Sequence, residues 1–73
     1  MRRFIIIAVN KKTYERRFLA GVCDFDYHWV EKEEDANIYE DYYVAYHDWH
    51  RGTIATDIDV KKWRVLIPNY PLG

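Results

Sequence analysis

The sequence predicts a small α+β domain, with an antiparallel sheet of four to five strands and one main helix packed on one face, in the order β-β-β-α-β(-β). Three observations predict it. The run Phe4-Ile5-Ile6-Ile7-Ala8-Val9 is apolar without interruption and rich in β-branched side chains, the pattern of a strand buried on both faces in mid-sheet. Residues 27–31 alternate, with Tyr27 and Trp29 on one face and His28 and Val30 on the other. Ile38, Tyr42, Ala45, Tyr46 and Trp49 recur at the spacing of one face of an α-helix.

The elements follow in order. After the first strand, Asn10-Lys11-Lys12-Thr13 is polar and reads as a turn. A second strand covers roughly Glu15–Cys23, and Gly21 marks a bulge or a close approach. Asp24-Phe25-Asp26 is a turn, because short Asp side chains bond local backbone groups. Tyr27–Glu31 is the third strand, and Glu31–Asp35 is a charged break. Asp35 or Asp41 can cap a helix by accepting from a free backbone N–H. The helix is expected over residues 41–51, with an extra turn near 35–39 and Gly52 as its C-terminal stop. Tyr42 and Trp49 are expected in the core. Two strands are expected over Thr53–Ile58 and Trp63–Ile67 around a turn at Asp59–Lys61, or one long bent strand, with a helix over 57–66 as the alternative. Pro68-Asn69-Tyr70-Pro71 ends regular structure, leaving a domain over residues 1–67 and a tail over 68–73.

A chain of 73 residues makes one domain, and at this size only about 60% of the unfolded surface is buried. Cys23 is the only cysteine, which leaves disulfide staples out and suits a reducing compartment. Aromatic side chains, 18% of the chain, supply the compensating apolar area. The longest apolar run, Phe4–Val9, is too short to span a bilayer, and Asn10-Lys11-Lys12 follows it where a cleavage site would stand in a signal peptide. The chain reads as cytoplasmic.

Charge is segregated along the sequence. Residues 1–20 hold six basic residues against Glu15, a local charge of +5. Residues 24–48 hold nine acidic residues against Lys32, a local charge of −8, and residues 51–73 return to +2. The overall charge of −1 conceals this. The acidic stretch, extended to Trp49, also carries eight of the chain's thirteen aromatic residues.

Few residues point to catalysis. His47 and His50 stand three apart on the helix, but a zinc site needs three or four ligands, which only Cys23 and His28 could complete. Asp24 with Asp26 reads as turn chemistry, and Asp57 with Asp59 as an exposed strand edge. The chain has no serine and only three glycines, so neither a serine nucleophile nor a Gly-rich phosphate loop is available. Cys23 reads as a small buried hydrophobe. No enzyme activity, cofactor or metal is expected.

Two binding surfaces remain. Carboxylates displayed at intervals can occupy Arg and Lys sites of a partner, and tyrosines add contact area at small entropy cost. Glu33, Glu34, Asp35, Tyr39, Glu40, Asp41 and Tyr43 are the expected contacts of such an acidic and aromatic face, with Tyr46 partly exposed beside them. The alternative is a nucleic-acid surface of Arg2, Arg3, Lys11, Lys12, Arg16 and Arg17 on one edge of the sheet, with Tyr14 and Phe18 stacking on bases. Opposite charge in the two segments also permits pairing between copies as a homodimer.

The order of an apolar first strand, Phe18-Leu19-Ala20-Gly21, Trp29-Val30 and Glu34-Asp35-Ala36-Asn37-Ile38-Tyr39 leading into a helix with Ala45 is similar to many small phage and prophage reading frames. That resemblance implies an accessory or anti-defence role, including that of anti-CRISPR proteins that block a nucleic-acid-binding surface. The order of sheet and helix also resembles small domains that lay a three-stranded sheet in the DNA major groove. The expectation is therefore a non-enzymatic interaction protein that binds, and inhibits, a basic nucleic-acid-handling complex.

Overall fold

A computed structural model describes residues 3–70. The central strand runs in two pieces, β1 (Arg3–Phe4) and β2 (Ile7–Asn10), interrupted at Ile5 and Ile6. Then come β3 (Arg16–Ala20), β4 (His28–Val30), a 3₁₀ turn at Glu33–Asp35, α1 (Tyr42–Ala55), β5 (Trp63–Leu66) and β6 (Asn69–Tyr70). Four strands form an antiparallel sheet in the order β4-β3-β2-β5, and β1 pairs with β6. The Phe4–Val9 run is thus central, as its unbroken apolar character requires. Pairing of Asn69–Tyr70 with β1 corrects the expectation that regular structure stops at Pro68. Residues 71–73 of the expected tail lie outside the described residues. No helix among the described residues is long and apolar enough to cross a membrane.

The sheet buries both faces unequally. Ile6 and Leu19, both fully buried, form the helix side with Tyr39 and Ala45, flanked by Phe4, Tyr27, Trp29, Trp49, Val65 and Ile67. Burying one such aliphatic side chain contributes about 1.5–3 kcal/mol. On the other side Ile5, Ile7 and Phe18 pack with Val9, Val30 and Ala36. The segment after β4 therefore crosses the helix-free side at Ala36, and then rejoins the sheet. There Asn37 N donates to Leu19 O at 3.0 Å, and Phe4 and Tyr39 bond each other's backbone at 2.7 and 2.8 Å.

Asp41 caps α1, its carboxylate accepting from Tyr43 N at 2.8 Å. The helix then runs through Gly52 to Ala55, which corrects both the expected stop at Gly52 and the expected strand at Thr53–Ile58. The turn at 59–62 follows directly, so the helix proposed for 57–66 does not form. Gly52 is buried against Leu19, where a Cβ would lie 2.7 Å from Leu19 Cδ2, so it is kept for close approach. Termination falls instead to Thr56, whose hydroxyl and N–H both reach Gly52 O, and to Asp57 at φ 54°. Two indole N–H groups tie the helix to the two outer strands. Trp29 Nε1 on β4 donates to Thr56 Oγ1 at 2.8 Å, and Trp49 Nε1 on α1 donates to Val65 O of β5 at 3.0 Å.

Candidate functional site

The first two turns of α1 present a tyrosine face. Small inward residues, Ala45 and Gly52, let the helix lie close to the sheet, so the tyrosines are left at its flank. Tyr43 is 85% exposed, Tyr46 53% and Tyr42 45%. Assigning Tyr42 to the core is thereby corrected. Its ring meets Phe4 edge-on at 5.4 Å between centroids and stacks with Tyr46 at 6.3 Å. Tyr46 in turn contacts Trp49 at 5.5 Å. Phe4, Tyr42, Tyr46 and Trp49 thus lie against one another in a row along the helix. A shallow groove lies between this face and β5, lined by Tyr42, Tyr46, Trp49 and residues 65–67.

The expected acidic face divides. Glu40 and Asp41 are exposed at the start of α1, on the helix side, and share a hollow with Arg3, Ile38 and Val44. Glu33, Glu34 and Asp35 are also exposed, but their turn packs on β3 just before Ala36, on the helix-free side. The chain's return to the sheet at 37–39 separates the two groups.

Tyr39 is buried, which corrects the expectation that it is displayed on the acidic face. It is 9% exposed, and its hydroxyl donates to Asp48 Oδ2 at 2.7 Å while accepting from Asn37 Nδ2 at 3.1 Å. Acidic neighbours in sequence suggested the surface, but the bridge to Phe4 turns this ring inward. Burial, then the Asp48 carboxylate, hold the Tyr39 phenol well above the usual tyrosine range. The same two causes push Tyr27 up to about 12. Their folded pKa values are raised, so the native state keeps these protons when the unfolded chain releases them. The resulting stability is whole below pH 10 and is lost as pH rises from there through 12. In an alkaline titration followed by phenolate absorbance and thermal midpoint, two tyrosines should ionise late. The midpoint should fall across that window, and Tyr39→Phe should remove one late step.

The basic residues expected on one edge also separate. Arg2 lies outside the described residues, and Arg3 sits at the helix-start end of the central strand. Lys11, Lys12, Arg16 and Arg17 sit at the other end, around the β2–β3 turn. Arg17 is committed there, 3.0 Å from Glu15 and 3.8 Å from Glu31, with its guanidinium 5.8 Å over the Trp63 ring. Phe18 is buried and cannot stack on a base, whereas Tyr14 is exposed. The sequence reading missed Lys61, Lys62 and Arg64 at this end. They arrive because β5 pairs with β2, which no local pattern announces.

The chemistry-bearing residues do not assemble. Cys23 is exposed in the 22–26 turn, not buried. His28 Nδ1 lies 2.7 Å from Asp26 O, and His47 Nδ1 lies 3.4 Å from Asp48 Oδ1. Among the described residues no three of His, Cys, Asp or Glu gather as a metal site. That turn is fastened to α1 by the Asp24–Arg51 ion pair, which holds the Asp24 carboxyl below its usual range, and it leaves Phe25 fully exposed at its tip. Comparison with protein-family models, curated proteins and solved structures finds no match to this chain.

Proposed function

We propose that this chain is a non-enzymatic protein-interaction module that docks on a basic partner through the start of α1. The observation that carries this reading is the set of three exposed, mutually packed tyrosines at 42, 43 and 46, beside the exposed residue Glu40 and the capping carboxylate of Asp41. Tyrosine supplies large contact area at low entropy cost, and such rings concentrate binding energy at interfaces. Carboxylates at the rim steer a cationic surface and set its register. A nucleic-acid-handling protein is the natural owner of such a surface. An accessory or anti-defence role in a phage or mobile element, inhibiting such a complex, fits the same face.

The test is capture from bacterial lysate with salt-graded elution, comparing the wild type with Tyr43→Ala/Tyr46→Ala and with Glu40→Lys. A basic partner should elute with salt, and the double tyrosine variant should lose at least tenfold in affinity, a loss of about 1.4 kcal/mol. Glu33→Lys/Glu34→Lys, on the other side of the sheet, should leave binding in place. Retention by the tyrosine variant, or loss only in the Glu33/Glu34 variant, would refute this site.

A further inference from the structure

A second surface lies at the opposite end of the central strand, on the helix-free side. Residues directly opposite in an antiparallel ladder share a face, and Val9 has Arg16 opposite it on β3 and Arg64 opposite it on β5. Two guanidinium-bearing side chains thus flank one apolar residue, their backbones about 10 Å apart across three strands. The β2–β3 turn and the turn before β5 meet beside them. Lys11 N donates to Lys62 O at 2.8 Å, and Lys11 Nζ donates to Val60 O at 3.1 Å. Lys12, Lys61 and Lys62 are exposed on these two turns.

The carboxylates of the same turns are already engaged. Glu15 pairs with Arg17, and Asp59 Oδ1 accepts from Lys61 N at 2.9 Å. Among the described residues, no carboxylate lies within 4.0 Å of Lys12, Arg16, Lys61, Lys62 or Arg64. Five cations at this end therefore face solvent without an ion-pair partner among the described residues, while Asp59 keeps its charge beside Lys61.

Tyr14 stands at this basic end, 76% exposed at φ 62°. The left-handed region is uncommon for any residue but glycine and asparagine, and it is costly for a bulky side chain. The turn imposes it. Tyr14 N donates to Asn10 O at 2.9 Å, and Asn10 Oδ1 accepts from the Lys12 and Thr13 N–H groups at 2.9 and 3.0 Å. The ring borders a hollow of about 390 Å³ formed with Val9, Asn10, Lys11, Arg64 and Leu66. An exposed aromatic ring kept in a strained conformation among unpaired cations is the chemistry of a base-stacking site on a phosphate-binding surface.

We propose that this end of the sheet binds single-stranded nucleic acid, with Tyr14 stacking on a base and Arg16, Arg64, Lys12, Lys61 and Lys62 taking the phosphates. A single strand is favoured over a duplex because stacking needs an unpaired base. The surface is separate from the tyrosine face of α1, so each can fail without the other.

The test is fluorescence anisotropy with a fluorescein-labelled oligothymidylate, a matched duplex and inorganic polyphosphate as competitor. The single strand should bind at micromolar protein in low salt. Neutralising three to five phosphates should make affinity fall about 20- to 100-fold between 50 and 200 mM salt. Tyr14→Gly relieves the φ strain, so it should lower affinity about tenfold with no fall in thermal midpoint. Arg16→Ala/Arg64→Ala, and separately Lys12→Glu/Lys61→Glu on the exposed turns, should each weaken binding at least tenfold while remaining folded by thermal melt. No anisotropy change at 100-fold higher protein would overturn the proposal. So would a Tyr14→Gly variant that binds as the wild type does, with polyphosphate competing fully, since that result describes a plain polyanion patch. Tighter binding to the duplex would overturn the single-strand assignment.

Discussion

Leu19→Ala should lower the unfolding free energy by about 2–5 kcal/mol, the largest loss expected from one aliphatic truncation in this protein. Leu19 is fully buried, packs with Ile6 and Ala45 beneath α1, and has Gly52 of the helix against its methyl groups. A domain of this length has about 4–11 kcal/mol in all, so the variant should melt at least 10 °C lower. The reciprocal change at the same contact is smaller. Gly52→Ala gains about 1 kcal/mol of helix propensity but forces a methyl to within 2.7 and 3.1 Å of Leu19 Cδ2 and Cδ1, at a cost of about 1–3 kcal/mol. Combining Gly52→Ala with Leu19→Val should recover part of both losses. A double-mutant cycle from denaturant melts should therefore give a favourable coupling, and strict additivity would show that the two residues do not press on one another.

Gly21→Ala should be nearly as damaging for a different reason. At φ 102° an L side chain is strained in any surroundings, and the new Cβ would stand 2.4 Å from Asp26 O and 2.7 Å from Asp26 C. These neighbours are backbone, so no rotamer change can make room. Relief requires opening the 22–26 turn, which Val22 N closes by donating to Asp26 Oδ2 at 3.1 Å. A loss of about 2–4 kcal/mol follows from strain and overpacking together. In amide NMR spectra the largest shifts should fall on residues 21–27 and on Arg51, which pairs with Asp24. A native-like spectrum with unchanged stability would show that Gly21 is not needed for the close approach.

The strands β2, β3, β4 and β5 and the turns joining the first three were legible because they rest on local chemistry, whereas the strand expected at Thr53–Ile58 is largely the end of α1, and β6 gave no local signal. An unbroken β-branched run could only be central, and Asp-rich and Asn-led segments could only turn. The helix was legible in place but not in orientation. Periodicity counts tyrosine as apolar, so Tyr42 and Tyr46 read as an inward stripe. The line that faces the sheet is Ala45, Trp49 and Gly52, and two of those three are small. Small residues chosen for close approach carry almost no hydrophobic signal, and Gly52 looked like a terminator for the same reason. Tyr39 was misread because burial came from a single backbone bridge to Phe4, thirty-five residues away in sequence. Charge told a similar story. The +5 and −8 segments are real in sequence, but Arg3 and Lys11 fall at opposite ends of one strand, while Lys62 and Lys11 become neighbours.

The two tryptophan N–H bonds have a consequence for how the molecule opens. Outer strands of a small sheet are normally its first parts to detach, exposing unpaired backbone that invites aggregation. Here β4 is anchored to the end of α1 through Trp29 and Thr56, and β5 to its middle through Trp49 and Val65. The helix acts as a strap across both margins of the sheet. Neither margin can peel away without first breaking a partly buried bond to an element on another layer. Local fluctuations are thereby converted into global ones, and a sheet of very short strands avoids offering its edges to a neighbouring molecule.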